Sequence, residues 1–130
     1  MRKVFREVTY TVDDVPRVFQ LKKLDAFDSV ALLIRVRKYQ REGDKKVSAL
    51  LNRMFDEISG EELKELMKIC LSAVSVKLPA GFQPVYLDGF WGWPDLEYES
   101  KVVNMLVIQE MIWSLEGFFL EKVSDSPSGT

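Results

Sequence analysis

The sequence predicts an α+β fold that is mostly α: an N-terminal β-hairpin packed on a bundle of about four helices, with an ordered aromatic loop before the last helix. Three observations predict it. Residues 4–12, VFREVTYTV, set β-branched and aromatic residues in approximate alternation with polar ones, the period of a half-buried strand. Val47, Leu50, Leu51, Met54, Phe55 and Ile58 recur at i, i+3, i+4, i+7, i+8 and i+11, the pattern of a helix with one buried face. Residues 79–96, PAGFQPVYLDGFWGWPDL, hold three of the five prolines among glycines and large aromatic side chains. Flexible linkers lack so many apolar side chains, so this is an ordered loop, with room for a short strand at 84–87.

Each element has its own local reason. Asp13 and Asp14, followed by Pro16, form a turn, and residues 17–22, RVFQLK, return as a second strand with Val18 and Leu21 directed inward. The hairpin spans 3–22; two strands are marginal alone, so it must pack on helices. Asp25 is a suitable N-cap, its carboxylate accepting from free amides of the next turn, with Asp28 near the positive end of the dipole. The first helix then runs over about 26–42 and stops at Gly43. It is apolar on two faces: Leu24, Phe27, Val30, Ala31 and Ile34 on one, and Leu32, Val36 and Tyr39 on another. Such a helix is either sandwiched inside the domain or offers one face to another chain.

The second helix covers about 46–58. Ser59 and Glu62 have the spacing of a capping box, each satisfying the other's free amide, so the third helix starts at Gly60. Its stripe is Leu63, Leu66, Met67, Cys70 and Val74, and it ends near Lys77 because Pro79 disfavours helix in the residue before it. The last helix covers about 97–122. Its polar positions do not form one straight stripe: Glu97, Lys101 and Asn104 project one way, while Glu110, Ser114, Gly117 and Glu121 are rotated to a different side of the helix. It is therefore bent or buried around most of its circumference. A single domain at 1–123, with a disordered tail at 124–130, accounts for the whole chain.

Composition excludes more chemistry than it suggests. Eighteen basic residues against 20 acidic ones leave a net charge of −2, which offers phosphate backbones no excess of positive field. Arg35, Arg37, Lys38 and Arg41 are the one basic cluster, but they spread around the first helix as solubilising charges do. No histidine and one cysteine remove serine and cysteine relays that need an imidazole, histidine-containing metal sites, zinc sites and iron–sulfur clusters within one chain. No phosphate-binding glycine motif occurs. No catalytic, cofactor-binding or metal-binding residue is expected, and the chain is read as a non-enzyme. The N-terminus lacks the apolar run of a signal peptide. The most apolar stretch, 102–120, is interrupted by Asn104, Gln109, Glu110, Ser114, Glu116 and Gly117, so neither membrane nor nucleic acid is expected as a partner and the cytoplasm is the expected location.

Residues 18–38, VFQLKKLDAFDSVALLIRVRK, carry a pattern F-x-L-x-K-L-x-A-F in Phe19, Leu21, Lys23, Leu24, Ala26 and Phe27. A short strand of this pattern leading into a Leu-rich helix resembles the small tail assembly chaperones of long-tailed bacteriophages and prophages. The layout is also similar, down to a last apolar helix ending in an aromatic pair, Phe118 and Phe119. The resemblance implies a non-enzymatic protein of the host cell cytoplasm that binds the tail tape measure protein during tail assembly and hands it over as tail tube subunits polymerise around it. Spare apolar helix faces leave self-association open. Candidate partner-binding residues are Leu32, Val36 and Tyr39 on the first helix and Phe90, Trp91 and Trp93 in the aromatic loop. The loop has no counterpart in the family pattern: it is either a hydrophobic plug on the core or a partner-binding lip. The alternative function is a small regulatory or inhibitor protein of mobile-element origin that binds a host protein through the same surfaces.

Overall fold

A computed structural model of the chain describes residues 4–43 and 45–119; the expected tail lies outside them, whereas the last helix ends within them, at Leu115 rather than near 122. The fold is α+β and mostly α. Strands β1 (Phe5–Val12) and β2 (Val15–Lys22) form the expected hairpin, in unbroken antiparallel register from Phe5↔Lys22 to Val12↔Val15. Asp13 and Asp14 both take left-handed φ, 52° and 63°. A two-residue hairpin loop of type I′ requires positive φ at both positions, and Asp is among the side chains that tolerate it.

Strand periodicity sorts the hairpin's side chains. Val12, Phe19 and Leu21 are buried in the core, while Val18 lies on the opposite face and is half-buried. Val18 and Leu21 were expected to point inward together; residues three apart in a strand cannot share a face.

Helices α1 (Ala26–Arg37), α2 (Val47–Glu57) and α3 (Gly60–Leu71) follow. Asp25 caps α1 as expected, its Oδ1 accepting from the Asp28 amide at 2.8 Å. The helix ends at Arg37, well short of 42. Residues 38–41 are drawn aside by contacts with α2 and α3: the Tyr39 hydroxyl donates to Glu62 Oε1 at 2.7 Å, and Arg41 Nη2 binds both carboxylate oxygens of Glu57 at 2.8 Å. The capping box at α3 forms only by half. Ser59 Oγ accepts from the Glu62 amide at 3.2 Å, but the Glu62 carboxylate is taken by Tyr39 and by Lys38 Nζ at 2.7 Å. Lys38 first and Tyr39 second hold that carboxylate below its ordinary pKa.

The third helix also ends early. Ser72 closes α3, its Oγ donating to the Ile69 carbonyl at 2.6 Å, and residues expected to be helical become strand β3 (Val74–Leu78). Val74 fits a helical stripe and a strand equally well, and pairing with the hairpin decides for the strand. There Val74 pairs with Leu21 and Val76 with Phe19, extending the buried face of the hairpin. Strand β4 (Gly81–Pro84) completes a four-stranded antiparallel sheet of order β1-β2-β3-β4.

Helix α4 (Ser100–Leu115) is the hub: it packs against α1, α2, α3 and β1. Its buried positions run from Val102 to Leu115, spanning roughly 220° of the circumference at 100° per residue, so burial around most of the helix is the outcome. Among them is Glu110, with no exposed surface. Its Oε2 accepts from Ser114 Oγ at 3.0 Å, and that hydroxyl accepts from the Leu24 amide at 3.3 Å. Burial raises the Glu110 pKa to about 8 against the opposing Ser114 hydrogen bond. The same burial, with Glu110 adding, pushes the Cys70 thiol well up, which leaves it a buried thiol rather than a reactive thiolate.

Candidate partner-binding site

The aromatic segment is more regular than a loop. After β4 the chain forms a small second hairpin, β5 (Tyr86–Leu87) and β6 (Phe90–Trp91), with Tyr86 opposite Trp91 and Leu87 opposite Phe90. Asp88 and Gly89 make its tip with φ of 53° and 86°, a second two-residue turn of the same kind. Gly92 serves a different need: a Cβ there would collide with the Pro84 carbonyl oxygen, because its own amide donates to Val85 O at 2.9 Å and holds the two segments together.

Cross-strand pairing splits the aromatic residues into three roles. Tyr86 and Trp91 meet edge-on at 5.1 Å between ring centroids and face the body of the protein. Leu87 and Phe90 are turned away, Phe90 with 76% of its surface exposed. Trp93, beyond the hairpin, is 7% exposed; it sits edge-on to Phe19 at 6.1 Å and under the Arg17 guanidinium at 5.4 Å. The segment is therefore divided: Trp93 closes the core, Phe90 stands on the surface, and Trp91 lies half-buried between them.

Tyr86 and Trp91 form one wall of an apolar groove of about 290 Å³, the other walls being Met67 and Leu71 of α3 and Val103 of α4, with Lys64 and Lys68 at the rim. The rim lysines lie 3.9 Å and 3.7 Å from Glu61 and Glu65. Exposed pairs of this kind contribute little to stability, so the groove floor is apolar and its edge is charged of both signs.

On α1 the structure reverses the expected assignment. Leu32 and Val36, proposed as a partner-binding face, are fully buried, because that side of α1 packs against α2 and α4. Tyr39 is half-buried and committed to Glu62. The uncovered face is the other one: Phe27 is 86% exposed, Ile34 67% and Val30 45%. Their spacing of three and four residues was visible in the sequence; which of two equivalent stripes would be covered was not. At its C-terminal end the stripe is bordered by Arg35, Arg37 and Lys38.

The six candidate residues thus fall into separate places. Leu32, Val36 and Trp93 are core, Tyr39 is part of a polar link between α1 and α3, and Trp91 and Phe90 belong to the groove and its outer lip. The groove residues Met67, Leu71 and Val103 were not singled out, since each also fits its helix's buried stripe. Among the described residues no helix is long and apolar enough to cross a membrane. Compared with family models, curated proteins and solved structures, the chain matches none.

Proposed function

We propose that the chain is a non-enzymatic tail assembly chaperone of a long-tailed phage or prophage, acting in the host cytoplasm by holding apolar segments of the tape measure protein. The observation that carries the reading is the fate of the motif Phe19, Leu21, Lys23, Leu24, Ala26 and Phe27. Folding accounts for Phe19, Leu21 and Leu24, all buried, but not for Phe27, which stands in water at the head of the Phe27, Val30 and Ile34 stripe. A protein that must hold and release a helical client needs such an uncovered apolar stripe, with contacts weak enough to be displaced.

Co-expression with the tape measure protein of the same genome tests the reading. The expected result is a soluble complex that is lost with Phe27→Ser while the variant itself stays folded. If the tape measure protein remains insoluble beside the unmodified chain and no complex is recovered, the reading is wrong.

A further inference from the structure

The sheet's two edges are built differently. Strand β4 is short, four residues, and ends in Pro84, features that discourage further pairing. Strand β1 has eight residues, FREVTYTV, with no proline or glycine and no bulge in its register with β2. In that ladder the two-residue loop makes Val12 and Val15 a hydrogen-bonded pair, so Val8, Tyr10 and Val12 turn their amides toward β2, as Val4 does in accepting from Lys23 N. Phe5, Glu7, Thr9 and Thr11 then present theirs outward. All four residues are exposed, and among the described residues their backbone groups have no partner.

We infer that β1 is a pairing edge for a second copy of this chain, joining two sheets antiparallel about a two-fold axis at Val8. Charge selects this register. With the axis at Val8, Phe5 faces Thr11 of the other copy and Glu7 faces Thr9, so all four outward residues are used and no like charges meet. On the helical side of the sheet, Val8 meets Val8 and Arg6 lies across from the Tyr10 ring, a favourable cation–aromatic pair. An axis at Glu7 sets two carboxylates face to face; an axis at Arg6 sets two guanidinium groups face to face, and like charges directly opposite destabilise a strand pair. An axis at Thr9 places Phe5 against the Asp13 turn, where the strand has ended. A self-complementary edge of this kind closes as a dimer rather than growing, because β1 is consumed and β4 is blunted.

Sedimentation analysis over a wide concentration range tests the inference on the full chain. A reversible dimer is expected. Thr9→Pro removes only an outward amide and is expected to weaken it at least tenfold, with the circular dichroism of the monomer unchanged. Thr9→Glu sets a carboxylate opposite Glu7 and should weaken the dimer roughly tenfold, whereas Thr9→Lys should tighten it several-fold. The two charge variants keep the test valid should the proline variant unfold. A chain that stays monomeric at all concentrations, or a dimer indifferent to the sign of the charge at position 9, overturns the inference; the latter places the contact elsewhere, such as on the α1 stripe.

Discussion

Helices α1 and α4 are both apolar over more than one face, yet α4 hides nearly all of that surface and α1 leaves half of it in water. The difference is one of position. Helix α4 runs through the middle of the domain with α1, α2, α3 and β1 around it, so nearly every apolar direction finds a neighbour, and even Glu110 and Ser114 are enclosed. Helix α1 lies at the periphery and is covered on one side only, by α2 and α4. Surplus apolar surface on a central helix is core; on a peripheral helix it is available for another chain.

The largest effects should come from the covered side of this comparison. Leu106 of α4 and Leu32 of α1 are both fully buried, and truncation of either to alanine removes packed methyl groups and leaves a cavity. Each variant should lose about 2–5 kcal/mol of unfolding free energy in urea denaturation. A much smaller loss for Leu32→Ala would mean that α1 is only loosely docked and that its two faces are not as different as they look.

An intermediate effect is expected at Glu110, where α4 encloses a charge-bearing group. Its pKa is raised from the ordinary 4.5 to about 8, so the folded state holds a proton that the unfolded chain releases. Stability is therefore full below pH 4.5 and falls as pH rises toward 8, by at most about 1.4 kcal/mol per unit. Glu110→Gln keeps the shape without the titration, so its unfolding free energy should fall less over this window, and the gap between variant and parent should widen from pH 5 to pH 8. Parallel pH profiles would show that water reaches Glu110 and that α4 is less enclosed than it looks.

What could be read in the sequence follows the same division. Elements specified by local chemistry were legible: the Asp25 cap, the Asp13–Asp14 turn, and the single stripe of Val47 to Ile58 each have one structural solution. Elements decided by tertiary neighbours were not. Val74 suits a helix stripe or a strand, and only pairing with Leu21 settles it. The end of α1 depends on Glu57 and Glu62, carboxylates more than a dozen residues away. For the candidate site the aromatic segment was identified, but its division into Trp93 inside, Trp91 at the groove and Phe90 outside follows from the β5–β6 register, which turns on Asp88 and Gly89. The choice between the two stripes of α1 had no local signal at all, since Leu32 and Ile34 are equally apolar and differ only in what lies opposite.

The smallest effect is predicted on the uncovered stripe. Ile34 is two-thirds exposed, so replacement by serine gives up little burial, and the two residues have similar helix propensities. Ile34→Ser should therefore change the unfolding free energy by no more than about 0.5 kcal/mol, measured in dilute solution where any dimer has dissociated. The same variant should bind less of an apolar fluorescent dye, because the stripe is the surface the dye would find. A loss approaching that of Leu32→Ala would mean that something covers the stripe in the folded protein, and α1 would then be enclosed on both faces as α4 is.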